Sequence, residues 1–150
     1  MSMICLLEIQ DTGIDRQFLK KRIKELINGI GGVFFYDSMP VVGETEGCLY
    51  CSFSDDYRFD NCERLLLPDE DVYNGSKNPI PFRKRVQTLE RVLRVIMNLT
   101  IKGTLYVGNN GNCRIDEFTF IQLELKNFVP FMEQYFNGLS DPSFKICLVD

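Results

Sequence analysis

Two hydrophobic periods alternate along the chain, and the changes from one to the other mark out the elements. Residues 3–9 form a short, almost continuously apolar run. That is the pattern of a strand covered on both faces, and it predicts a strand at the sheet centre. Around Asp15 the period lengthens: Ile14, Phe18, Leu19, Ile23, Leu26, Ile27 and Ile30 recur every three or four positions, with Lys20, Lys21 and Lys24 between them. The spacing predicts a helix with one buried stripe, capped by Asp15 and ended by Gly29, Gly31 and Gly32. Residues 33–36 and 48–53 read as strands joined by a segment holding Pro40 and Gly43,.

Residues 54–80 show no sustained period, and so long a connection in a compact domain is either functional or holds short elements that periodicity does not reveal. Ser76, Asn78, Pro79 and Pro81 then lead into a second helix with Phe82, Val86, Leu89, Leu93 and Ile96 as its stripe,. Residues 103–107 and 113–125 read as paired strands of a hairpin turning through Gly108, Asn109, Asn110, Gly111 and Asn112,. A third helix carries Phe128, Phe131, Met132, Tyr135 and Phe136 on one face, with Pro130 in its first turn and Gly138 beyond its end,. Residues 144–149 supply a last strand. The order β-α-β-β, long loop, α-β-β-α-β predicts an α+β fold: one domain over residues 1–150, a mixed or mostly antiparallel sheet of about five to six strands, and about three helices packed on it.

Length and composition agree with this reading. The chain has 150 residues, 45% of them hydrophobic and 25% charged, enough to bury a core without a disulfide or metal. No apolar run approaches the ~20 residues that cross a bilayer, and the start of the chain is neither basic nor long enough for a signal peptide. The expectation is a soluble, cytoplasmic protein with no membrane association. In that compartment Cys5, Cys48, Cys51, Cys62, Cys113 and Cys147 are expected as free thiols, several of them packed as small hydrophobes,.

Charge changes the picture more than composition does. Between Asp37 and Asp71 ten acidic residues face Arg58 and Arg64, a balance of −8 against −4 for the whole chain. Between Val72 and Lys102 seven basic residues face Glu90, a balance of +6. Concentrated negative field raises the on-rate and selectivity for a cationic partner, and Tyr50, Tyr57, Phe59 and Tyr73 interleave aromatic anchors with the acids. The competing reading is that the acidic stretch neutralises the basic helix of the same chain or is simply solvated. That helix carries Lys84, Gln87, Arg91, Arg94 and Asn98 at spacings of three and four. Such a face could meet phosphate, but the cations are few and the chain is acidic, so a solvated face with no direct nucleic-acid contact is expected.

The chemistry of catalysis is thin. Histidine is absent, which removes the common acid/base at neutral pH, the Ser-His and Cys-His pairs and the usual zinc nitrogen ligand. Cys48 and Cys51 have metal-like spacing but no second pair, and three apart on a strand they point to opposite faces. The glycines at 29–32 follow a helix instead of opening one, so they are no phosphate loop. Asp116, Glu124 and Lys126 resemble the acidic-pair-plus-lysine arrangement of metal-dependent nucleases, where carboxylates hold Mg²⁺ and the lysine meets developing negative charge. The interval between Asp116 and Glu124 is short for that role. No cofactor and no enzymatic activity are expected.

Size, element mix, lack of a catalytic set and the dense acidic stretch together resemble the immunity proteins of bacterial polymorphic and contact-dependent toxin systems. The resemblance is to the class and spans the whole chain, without a diagnostic motif. It implies a protein partner, a toxin domain with a basic, nuclease-like surface that is covered and neutralised. The residues it implies for that contact are Asp55, Asp56, Tyr57, Asp60, Glu63, Asp69, Glu70 and Asp71. Two other readings stand beside it: a Mg²⁺-dependent nuclease, and a non-inhibitory adaptor or structural subunit.

Overall fold

The computed structural model describes residues 3–10, 13–27, 32–36, 48–54, 80–99, 103–109, 117–136 and 143–149. The elements follow the predicted order. They are β1 (Met3–Gln10), α1 (Arg16–Ile27), β2 (Gly32–Tyr36), β3 (Cys48–Ser54), α2 (Phe82–Asn98), β4 (Gly103–Asn109), β5 (Thr119–Glu124), a 3₁₀ turn (Leu125–Asn127), α3 (Phe128–Tyr135) and β6 (Phe144–Val149). The six strands form one mixed sheet in the order β2-β3-β1-β4-β6-β5, so the fold is α+β. Only β5 and β6 run parallel; the other four ladders are antiparallel.

The apolar run of β1 does what its pattern predicts and lies inside the sheet, between β3 and β4. Alternate residues supply two cores. Cys5, Leu7 and Ile9 face the helices, where they join Leu19, Ile23, Val86, Leu93, Phe128 and Met132 in the main cluster. Leu6 faces the other way, opposite Ser52 on β3 and Tyr106 on β4. There it meets Cys48, Tyr50, Tyr106 and Phe118 in a smaller cluster. Strands three and four in this register bury both faces, which explains why β1 carries no polar alternation until Glu8.

Each helix starts where local chemistry favours it. The Asp15 carboxylate accepts the Gln17 N–H at 3.0 Å, and its carbonyl accepts the Leu19 N–H at 3.1 Å, satisfying donors that a helix start leaves open. Pro81 precedes α2 with an extended backbone, and its carbonyl accepts the Arg85 N–H at 3.0 Å. All five stripe residues predicted for α2 are buried. On α3, Phe131 and Tyr135 stack with Phe144 of β6 at centroid distances near 5 Å (4.9, 5.1 and 5.1 Å around the triangle). That aromatic contact, made from positions four residues apart on the helix, seats α3 over the β6 end of the sheet,.

Four expectations are corrected. The predicted hairpin does not form, because both edges of β4 are taken, by β1 on one side and β6 on the other. β5 instead starts at Thr119 and lies beyond β6, parallel to it; the 3₁₀ turn and α3 carry the chain between them, as a parallel pair requires. Gly108 belongs to β4, opposite Ile4, with φ 147°, and not to a turn. Phe18, placed on the buried stripe of α1, is 56% exposed. Gly32 pairs with Ser54 inside the β2–β3 ladder instead of ending α1. Among the described residues no helix is long and apolar enough to cross a membrane.

Candidate functional site: a cationic helix layer

The residues expected to contact a partner, Asp55, Asp56, Tyr57, Asp60, Glu63, Asp69, Glu70 and Asp71, lie outside the described residues, as does Asp116. Of the nuclease-like trio, Glu124 and Lys126 form an ion pair with each other at 3.0 Å, exposed at the end of β5. Among the described residues no group of three or more His, Cys, Asp or Glu is placed to hold a metal ion. Cys51 packs in the helix-side core and Cys48 in the cluster on the opposite sheet face, as the strand alternation requires. Cys5, Cys48, Cys51 and Cys147 carry free thiols. Burial pushes the Cys5 thiol up from 9.0 to about 12, so it stays protonated and unreactive at neutral pH.

What the fold does bring together is positive charge. α1 contributes Arg16, Lys20, Lys21, Arg22 and Lys24, and α2 contributes Arg83, Lys84, Arg85, Arg91 and Arg94. These ten are more than half of the chain's 17 lysines and arginines, whereas only Glu25 and Glu90 of its 21 acids lie on the two helices. Both helices cover the same face of the sheet and pack on one another. Ten cations against two acids give the pair +8, so with the whole chain at −4 the remainder carries −12. The linear reading placed positive charge at residues 72–102 alone. It took Lys20, Lys21 and Lys24 only as the polar side of a stripe, because nothing in the order of residues says that α1 and α2 lie side by side.

The cations are not equivalent. Arg85 is fully buried. Its Nε donates to the Ile80 carbonyl at 3.0 Å, and its guanidinium lies 5.4 Å from the Phe82 ring centroid. It pins the entry of α2 and adds nothing to the exposed face. Arg94 is bound to Glu90 at 3.0 Å, and Arg83 reaches Glu133 of α3 at 3.8 Å. Lys20 and Lys24 both approach the Phe35 ring of β2, 5.8 and 5.7 Å from its centroid. Lys84 and Arg91 border an open concavity of about 610 Å³, lined among the described residues by Ile80, Lys84, Gln87, Thr88, Glu90 and Arg91. There the Thr88 hydroxyl donates to the Lys84 carbonyl at 3.0 Å and accepts from Arg91 Nη2 at 3.1 Å. Thr88 therefore tethers the Arg91 guanidinium to the helix surface beside the groove, and part of its rotamer entropy is already lost before any partner arrives.

Compared with protein families, with curated proteins and with solved structures, the chain matches none.

Proposed function

We propose that the protein is a cytoplasmic protein-binding module without catalysis of its own, and that its role is that of an immunity protein which binds and neutralises a toxin domain of basic, nuclease-like surface. The observation that supports this reading is the segregation of charge. With +8 gathered on α1 and α2, only seven cations remain among the 19 acids elsewhere, and −8 of the remaining −12 falls between residues 37 and 71. A field of one sign over a limited stretch steers a cationic partner and rejects acidic ones. Asp55, Asp56, Tyr57, Asp60, Glu63, Asp69, Glu70 and Asp71 are the proposed contacts, with Tyr57 as the apolar anchor.

The test is kinetic. Converting Asp55, Asp56 and Asp60 to Asn and Glu63 to Gln is expected to slow association with the cognate toxin about tenfold or more at low salt. The difference should shrink as the Debye length falls from about 10 Å at 0.1 M salt to about 3 Å at 1 M. A lower melting temperature with an unchanged association rate would instead assign the acids to internal neutralisation of the basic helix.

A further inference from the structure

The outer face of the α1–α2 layer has the composition of an interface as well as its charge. Phe18 is one of two large hydrophobic side chains exposed among the described residues. It lies one turn before Lys21 and Arg22, three and four residues on, so the three share a side of α1. On the neighbouring helix stand Lys84 and Arg91, both exposed, the latter held by Thr88. Two turns apart on α2, their backbone positions are separated by about 10 Å along the axis. An exposed apolar side chain on a cation-rich pair of helices, whose other sides are buried against a sheet, suits a partner that brings carboxylates and an apolar side chain together,.

From this we infer that the outer face of α1 and α2 is a second interaction surface, and that its occupant is an acidic polypeptide segment bearing apolar or aromatic side chains. Charge complementarity selects an anion, and the exposed Phe18 selects among anions. A duplex presents phosphate and sugar on its outside and no apolar side chain for Phe18 to meet, whereas an acidic peptide segment brings carboxylates and apolar side chains together. The layer takes a partner of the opposite sign to the one proposed for the acidic stretch, and internal neutralisation of α2 by that stretch would overturn both readings.

The experiment uses the full chain and three probes: poly-L-glutamate, a random glutamate–tyrosine copolymer of the same length, and a single-stranded DNA oligonucleotide of matched charge. Binding is followed by fluorescence anisotropy at low ionic strength. The copolymer is expected to bind tighter than poly-L-glutamate, and the oligonucleotide weakest. Lys21→Glu, Lys84→Glu and Arg91→Glu together should weaken copolymer binding about tenfold or more, while Phe18→Ala should abolish the advantage of the copolymer. Should the charge reversals unfold the protein, Lys84→Gln with Arg91→Gln gives a smaller loss in the same direction. Absence of poly-L-glutamate binding, equal binding by the charge variants, or preference for the oligonucleotide overturns the inference. The variant with neutralised Asp55, Asp56, Asp60 and Glu63 separates the two proposals, since it should lose toxin association and keep copolymer binding.

Discussion

Gly103 shows how far a single hydrogen in place of a methyl group can be fixed by packing. It opens β4 opposite Ile9 of β1, and a Cβ built there would lie 2.9 Å from Cδ1 of Leu7, which has no exposure of its own. Gly103→Ala gains a little from a stiffer unfolded chain but must displace a core leucine. The expected net is a loss of about 1 kcal/mol in urea denaturation, and an unchanged midpoint would show that Leu7 has room to turn away. The buried thiols give a second consequence. Cys5 is held protonated up to about 12 by burial; Cys51 is raised as well, by burial first and with Lys20 pulling it back. Below about pH 9 both folded and unfolded chains keep these protons, and stability is full. Above it the unfolded chain releases them first, so stability falls as pH rises toward about 12, by at most about 1.4 kcal/mol per pH unit for each thiol. Tyr106, raised to about 12 by burial and by the charge of Glu8, steepens the fall beyond about pH 10. Unfolding free energies taken between about pH 8 and pH 11 should show this slope, and Cys5→Ala should reduce it by up to about 1.4 kcal/mol per pH unit, leaving the part due to Cys51 and Tyr106. At two residues spacing and residue type pull apart. Arg85 stands three after Phe82 and four before Leu89, so spacing puts it on the buried side although its charge favours the surface. Phe18 is apolar, and its type outweighed its place one turn before Lys21 and Arg22.

At the level of elements, α2 is where sequence and structure agree most closely, because a stripe repeated over four turns overdetermines the buried side. The contrast across that helix is measurable. Leu93→Ala, which empties a core site, is expected to cost about 2–5 kcal/mol. Arg91→Ala, two positions away and exposed, should change stability by less than about 0.5 kcal/mol. Comparable losses from both would mean that Arg91 is structural and not held ready for a partner. The strands were legible one by one but not in their pairing. Asn-Gly-rich sequence between two apolar runs is a hairpin signal, yet pairing is decided by which edges remain open, and β6, about 35 residues further on, takes the edge of β4 that β5 needed,. Local turn chemistry carries no information about a competitor so distant.

For the molecule as a whole, fold class and element order could be read because periodicity is a local property that survives in the sequence. The candidate surface could not. Its cations come from residues 16–24 and 83–94, and only the packing of α1 against α2 makes them one surface. The same long-range placement has a bearing on how the protein folds. β6 lies between β4 and β5, so neither of these strands has that neighbour until β6 docks. A chain folding with β6 still out of place presents an open edge on β4 and an unpaired β5, each a template for another chain. One event, the insertion of β6, covers both, so a chain cut short before Phe144 would hold the sheet in its most adhesive form.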